Sequence, residues 1–142
     1  MSQANRPVKR SVAFAIFHGG ERDQVLMVQR PSDDEDLPGA WGLPAGSLLP
    51  GEDCGDAVRR GGRDKLGVGL EVGDELNRGS LDRASYTLEM RLLEARIVAG
   101  EPRVPQAVAG VTQYQAWRWG SPEDLAPAAA RGSLCSRLFI ER

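Results

Sequence analysis

The stretch from Trp41 to Val68 constrains the fold of this chain more than any other part of the sequence. It begins with Trp-Gly-Leu-Pro-Ala-Gly, which predicts a short extended segment and then a glycine-rich turn. The residues that follow predict a helix from about Gly55 to Leu66, with Gly67 as its C-terminal stop. The rest of the chain is then a scaffold around this segment.

The spacing of five residues in this stretch resembles the Nudix box, G-x5-E-x7-R-E-U-x-E-E-x-G-U, where U is a bulky aliphatic residue. The five positions that agree are Gly46, Glu52, Arg60, Gly67 and Val68. The three box carboxylates after the arginine fall instead on Gly61, Asp64 and Lys65, and the aliphatic position falls on Gly62. The resemblance therefore implies the fold, whereas the catalytic pattern is degenerate.

The altered positions bear directly on metal binding. On a helix, residues 61, 64 and 65 share one face and converge on one cation. Magnesium requires hard oxygen ligands in near-octahedral geometry, but this face carries no side chain, a short carboxylate and an ammonium. Lys65 repels a nearby divalent ion by an energy on the order of a few kcal/mol. The sequence thus predicts metal sites that are weak or absent.

The resemblance implies a hydrolase, dependent on Mg²⁺ or Mn²⁺, that cleaves a pyrophosphate linkage in a nucleoside diphosphate attached to another group. It assigns Glu52 and Asp64 as the remaining metal ligands, with Arg60 orienting Glu52 through a charge-assisted bond. The carbonyl of Ala45 or Gly46 would complete the metal shell.

Candidate substrate-binding residues are Trp41, Gly46 and Arg30. Arg30 ends the second predicted strand, where a surface position is as good an explanation as a phosphate contact. Between Glu101 and Glu123 the chain has no acidic residue, so an additional base or metal ligand from that loop is also missing.

Two classes of function stay open. The chain is either a weak or specialised pyrophosphohydrolase with one metal, or a module that binds a nucleotide-like ligand or a protein partner without hydrolysis and with no metal cofactor. The resemblance also makes a homodimer plausible. Restoring the three carboxylates together, by Gly61→Glu, Asp64→Glu and Lys65→Glu, would test whether the site has merely decayed.

The whole sequence indicates a single α/β domain over residues 1–142, a Nudix-type α/β/α sandwich with a mixed β-sheet. The net charge of -2, with both signs interspersed, does not favour a nucleic acid polymer or a membrane surface as partner. Cys54 and Cys135 have no metal-binding spacing, and no secretory signal or membrane span is evident. We therefore expect a soluble cytoplasmic protein with two free thiols.

Apolar alternation and turn signals predict the remaining elements. After a polar lead-in over residues 1–10, strands are expected at 11–17, 24–30, 70–76, 86–98 and 113–119, with a turn at 77–80 and a loop over 100–111. Helices are expected from Ser121 to about 130 and over 133–140.

Other polar residues are expected to be solvated, namely His18 at a turn and the acidic run at 33–36. The sharper alternative for that run is a stray metal ligand near the box. Gly61 and Gly62 inside the box helix either leave an empty place beside Val58 and Leu66, or admit a close approach by another backbone or a ligand.

Overall fold

A computed structural model describes residues 6–110 and 113–142 of the chain. The strands in this part are β1 (Val8–His18), β2 (Glu21–Gln29), β3 (Trp41–Gly42), β4 (Ala45–Ser47), β5 (Gly69–Asp82), β6 (Thr87–Ala99) and β7 (Ala116–Gly120). The helices are α1 (Cys54–Gly61), α2 (Ala126–Ala130) and α3 (Leu134–Glu141). A π-helical segment, Gly62–Leu66, continues α1, and a 3-10 turn, Pro122–Leu125, precedes α2.

The strands form a mixed seven-stranded sheet with β1 at its centre. The order is β3-β2-β1-β6-β5, with β4 also paired to β1 and β7 to β2. β1 and β6 run parallel from the Val8–Thr87 pair to the Ile16–Ala95 pair, and the other pairings are antiparallel. The expected mixed sheet is confirmed.

β1 separates two apolar layers because its side chains alternate between the two faces of the sheet. Val12, Phe14 and Ile16 pack in the cluster that contains Val58 and Leu66 of the box segment. The intervening residues of β1 pack in the cluster that contains Leu134, Cys135, Leu138 and Phe139 of α3. Helices therefore cover both faces of the sheet, which confirms the α/β/α sandwich.

The box helix begins and ends where the sequence predicts, but it changes its form midway. Asp53 caps α1 by accepting a 2.8 Å hydrogen bond from the Asp56 N–H, and Gly67 ends the segment in the left-handed conformation at φ 70°. Between them the last turn widens into the π form, which recurs at functional sites. The helix expected from about Gly55 to Leu66 is thus present, with its final turn in the π form.

The paired glycines of the box helix lie against core side chains. A Cβ at Gly61 would be 3.1 Å from the ring of Phe14, and one at Gly62 would be 2.6 Å from Leu70 Cδ1. The place beside Val58 is thus filled by Leu70, so the expected gap is wrong. The close approach is made chiefly by side chains, with the Val68 carbonyl 3.3 Å from the Gly62 position.

Strand β5 is longer than the sequence predicts. It continues from Gly69 to Asp82, so the expected turn at 77–80 is wrong. The segment containing Asn77 and Gly79 pairs with β6, and two register shifts around Glu75 absorb the irregularity. Asn77 Nδ2 donates a 3.0 Å hydrogen bond to the Leu138 carbonyl, so the turn-forming residues mark bulges and close packing against α3.

The remaining elements agree more closely. β1 begins at Val8, so the polar lead-in is wrong for residues 8–10, while residues 1–5 lie outside the described part. Ser121 and Asp124 form the expected capping box, with a 3.1 Å bond from Ser121 N–H to Asp124 Oδ2. The strand expected from 113 begins at Ala116, and the end of the 100–111 loop, Val111, lies outside the described residues. None of the described helices is long and apolar enough to cross a bilayer.

Candidate functional site

Glu52, which precedes α1, and Arg60, in the last turn of α1, form a bidentate ion pair. Arg60 Nε donates to Glu52 Oε2 at 2.8 Å, and Arg60 Nη2 donates to Glu52 Oε1 at 2.9 Å. The same Nη2 donates to the Ser47 carbonyl at 2.9 Å, and the Leu49 N–H donates to Glu52 Oε1 at 2.9 Å. Hydrogen bonds from Arg60, supported by the Leu49 N–H, lower the pKa of Glu52 to about 2.

The Lys65 ammonium lies against the backbone of β4. It donates a hydrogen bond to the Ala45 carbonyl, and its Nζ is 5.5 Å from the centre of the Tyr114 ring. The Tyr114 hydroxyl donates to the same carbonyl at 3.2 Å and accepts from the Ala45 N–H at 3.1 Å. Tyr114 is buried, which raises its pKa to about 12, so the hydroxyl keeps its proton at neutral pH.

The position of Lys65 is electrostatically unfavourable for a cation. Burial, and after it the charges of Arg30 and Arg60, together lower the pKa of its ammonium to about 8. In residues 6–110 and 113–142 no carboxylate forms an ion pair with Lys65. The ammonium is nevertheless mostly protonated at pH 7, since its pKa stays above that value.

Arg30 lies at the end of β2 in a small cavity that also contains Lys65. Its Nη1 donates to Asp34 Oδ2 at 3.0 Å, and the same oxygen accepts from the N–H groups of Asp36 and Leu37 at 3.2 and 2.9 Å. Burial acts to raise the pKa of Asp34, but these hydrogen bonds outweigh it and hold the pKa below its usual range. Asp34 is therefore ionised and half-buried, whereas its exposed neighbours in the acidic run are solvated as expected.

The cavity has a volume of about 80 Å³ and lies between β2, β3, β4, the end of the box segment and the start of α3. Its polar side chains are Arg30, Asp34, Lys65, Tyr114, Ser133 and Cys135. Trp41 forms another wall, and it separates this cavity from a shallower groove that contains Arg118, whose guanidinium is 4.7 Å from the Trp41 ring.

A model of the NUDIX domain matches residues 8–141, nearly the whole chain. The chain belongs to the Nudix family. Solved Nudix structures have the same fold at low sequence identity. A NUDIX hydrolase from Nitrosomonas europaea is 20% identical, with a TM-score of 0.71 over 93% of this chain and 85% of that one. No curated protein matches the sequence.

Two further Nudix structures are similar to this chain, with TM-scores of 0.67 and 0.58. A MutT NUDIX hydrolase from Burkholderia pseudomallei is 24% identical, with a TM-score of 0.67 over 89% of this chain and 98% of that one. An ADP-ribose pyrophosphatase from Streptococcus suis 89-1591 is 20% identical, with a TM-score of 0.58 over 81% of this chain and 75% of that one. At these identities the likeness establishes the fold.

The residues of this Nudix protein do not fit a divalent cation. Arg60 pairs with Glu52, as the resemblance implies for a metal ligand, and Asp64 Oδ1 lies 3.4 Å from Arg63 Nε. The Ala45 carbonyl, which the family pattern offers to the metal, accepts from the Lys65 ammonium instead. Within the described ranges, no three or more His, Cys, Asp or Glu side chains are grouped to hold a metal ion.

Gly46, which agrees with the box pattern, and Gly61, which replaces a box carboxylate, lie in different surroundings. A Cβ at Gly46 would be 3.4 Å from Lys65 Nζ, so the absence of a side chain leaves room for the ammonium. Gly61 is buried against Phe14, so its position is turned toward the core. The expectation that positions 61, 64 and 65 converge on one cation stays a prediction.

Sequence patterns did not point to several residues of the pocket. Tyr114 falls in a segment expected to be a strand, and no motif marks it as a partner of the box backbone. Cys135 and Ser133 lie at the start of α3, where Ser133 serves as the helix cap. Cys54 and Cys135 are free thiols as expected, half-buried and buried respectively. His18 is exposed, with its ring 4.6 Å from that of Trp119.

Proposed function

We propose that this Nudix protein binds a small nucleotide-like ligand without hydrolysing it, so that the metal-dependent pyrophosphate hydrolysis expected from the sequence to be weak or lost is lost. One observation carries the proposal. The Lys65 ammonium donates to the Ala45 carbonyl, so a fixed positive charge takes the position that the family pattern assigns to a metal ion. A divalent cation placed there meets repulsion from Lys65 where it needs an anionic oxygen.

The energetic consequence for hydrolysis is large. Loss of one metal ligand commonly removes several kcal/mol of charge stabilisation from the transition state, which corresponds to a rate loss of about a thousandfold or more. In this chain Gly61 and Lys65 replace two of the family carboxylates, and the loop before β7 has no acidic residue to compensate. Glu52, Arg60 and Asp64 remain as the candidate catalytic residues.

The cavity carries side chains suited to contact a ligand. Arg30 and Trp41 line the cavity at the end of β2, and Gly46 keeps the nearby turn free of a side chain. These residues are our candidates for substrate or ligand contacts. A similar structure is named an ADP-ribose pyrophosphatase, which makes ADP-ribose a reasonable generic probe.

The competing function is a slow pyrophosphohydrolase that uses Mg²⁺ or Mn²⁺ held by Glu52 and Asp64. Calorimetry with each metal, with and without ADP-ribose, distinguishes the two functions when combined with a phosphate-release assay. We expect no metal binding at sub-millimolar concentration and no turnover. Metal binding and turnover that both disappear in Asp64→Ala would overturn the proposal.

Asp56→Ala is a matched control for that experiment. Asp56 is also an aspartate of the box helix, but its side chain is exposed and pairs with Arg59 at 2.8 Å on the outer surface. A loss of metal binding in both variants would indicate an effect on the helix, whereas a loss in Asp64→Ala alone identifies a ligand.

The restoration experiment is best done without position 61. Because a Glu at Gly61 would bury a carboxylate against Phe14, the triple variant confounds loss of folding with loss of metal binding. The double variant Asp64→Glu/Lys65→Glu avoids this contact. Return of metal binding in the double variant would support decay of the box as the cause of lost activity.

A further inference from the structure

The charges around the cavity are not balanced. Arg60 is satisfied by the bidentate pair with Glu52, and Arg30 is paired with Asp34 at 3.0 Å. Lys65 has no such partner among the described residues, and its ammonium donates to a neutral carbonyl. The cavity therefore holds one cation in excess of its carboxylates, beside walls formed partly by apolar side chains.

Hydrogen-bond donors remain available on both cations. An ammonium has three N–H donors and a guanidinium has five. In the described part of the chain, Lys65 donates to the Ala45 carbonyl and Arg30 donates to Asp34. Asp34 Oδ2 is itself saturated by Arg30 and two backbone N–H groups, so its charge is largely compensated. Both cationic side chains can thus donate to a further acceptor.

The size of the cavity restricts what that acceptor can be. At about 80 Å³ it has room for roughly five waters on the scale where one water needs about 15 Å³. A phosphate group has a comparable number of heavy atoms, whereas a nucleoside is too large. Lysine binds phosphate oxygens as a point charge, and arginine binds them through its planar fork.

We propose that the cavity between Lys65 and Arg30 binds a phosphate group directly, with the Lys65 ammonium in place of a divalent cation. This inference rests on the proposed function, since it assumes a pocket that recognises its ligand without hydrolysing it. It adds that the ligand presents a phosphate group and that binding requires no metal. The rest of the ligand lies toward Trp41 and the adjoining groove.

The test is titration with inorganic phosphate and with inorganic pyrophosphate in the presence of EDTA, followed by calorimetry or by NMR. We expect saturable binding without metal. Lys65→Met should weaken it by about tenfold to a hundredfold, the loss expected for one charged hydrogen bond. Arg30→Gln should also weaken it. Lys9→Met, which removes the other lysine of the chain from an exposed position, should leave it unchanged.

Three results would overturn the inference: no saturable binding in EDTA, binding that appears only when Mg²⁺ is added, or equal affinity in Lys65→Met and the unmodified chain. Circular dichroism and thermal unfolding establish that each variant is folded, and Arg30→Gln provides an independent test if Lys65→Met is not. If phosphate does not bind in EDTA and no turnover is found, this inference fails while the absence of hydrolysis in the proposed function is not contradicted. Metal-dependent turnover overturns the proposed function by itself.

Discussion

Lys65→Met tests the electrostatics of the site through stability alone. Methionine keeps a long unbranched side chain, so it fills the space of the lysine stem without the charge. The ammonium it replaces has a pKa of about 8, lowered from 10.5 by burial and then by the charges of Arg30 and Arg60. The folded state therefore pays a free-energy cost for holding Lys65 protonated at neutral pH.

That cost can be estimated from the pKa values. A change from 10.5 to about 8 corresponds to an upper limit of about 3 to 4 kcal/mol at about 1.4 kcal/mol per pH unit. Partial exposure of Lys65 screens the charge, so we take about 2 kcal/mol. The lost hydrogen bond to the Ala45 carbonyl offsets about 1 kcal/mol, although Tyr114 still donates to that carbonyl at 3.2 Å. Lys65→Met should thus be more stable by about 1 kcal/mol at pH 7.

The sign of the pH dependence follows from proton linkage. Between pH 8 and 10.5 the unfolded chain keeps the Lys65 proton that the folded chain has lost, so the unfolded state binds more protons. The stability of the unmodified chain therefore rises with pH across this window. Lys65→Met lacks this contribution, and its advantage should be largest at pH 7 and should disappear as the pH approaches 10.5.

Urea denaturation at pH 7 and at pH 9.5 measures the effect, with the midpoint and slope fitted for each protein. Lys9→Met serves as the control for removal of a lysine, and it should show neither the gain at pH 7 nor the change in pH dependence. If Lys65→Met is less stable than the unmodified chain at pH 7 and retains the same pH slope, the ammonium is not under electrostatic strain and the reasoning fails.

Three other substitutions test individual contacts. Gly62→Ala gains up to about 1 kcal/mol in helix propensity, but its Cβ would be 2.6 Å from Leu70 Cδ1. Overpacking should dominate and lower the melting temperature, so a rise in calorimetry would contradict the packing found at this position. Glu52→Gln should lower the free energy of unfolding by about 2 kcal/mol at neutral pH. The pKa of Glu52 is about 2 in the folded chain and 4.5 ordinarily, so the ionised carboxylate stabilises the fold above pH 4.5. The deficit should vanish as the pH falls through 2, and a deficit that is constant in denaturation curves across this range would exclude the Arg60 pair as its source. Tyr114→Phe leaves the half-buried Ala45 N–H without this acceptor and should cost about 1 to 3 kcal/mol in urea denaturation, whereas no change would mean that water replaces the hydroxyl.

The sequence predicts those features that depend on local pattern. Apolar, β-prone runs located β1 and β2, alternation of apolar and polar residues located β6, and the Ser121 cap with Pro122 located the start of the C-terminal helical region. The Glu52–Arg60 pair could be predicted only from the resemblance to the Nudix box, which implies that the arginine orients the glutamate. These signals act over a few residues, so they survive without knowledge of the tertiary fold.

The features that sequence patterns missed depend on contacts between distant segments. The Asn77–Ser80 stretch has turn-forming residues, yet pairing with β6 and packing against α3 hold it in β5. Gly62, the first residue of the π turn, lies against Leu70, a contact that no local rule indicates. The contact of Lys65 with Ala45 joins residues 20 apart, and Tyr114 joins it from 69 residues away.

Because β1 lies at the centre of the sheet and packs against both helix layers, the hydrogen exchange of its amides responds to changes in either layer. Residues 11–17 of this strand are all buried, and β1 pairs with β2, β4 and β6. Amides in such a strand exchange with solvent only when the whole domain unfolds. Hydrogen exchange in β1 therefore measures the global free energy of unfolding, and substitutions in the box helix or in α3 should change the exchange of the same seven residues.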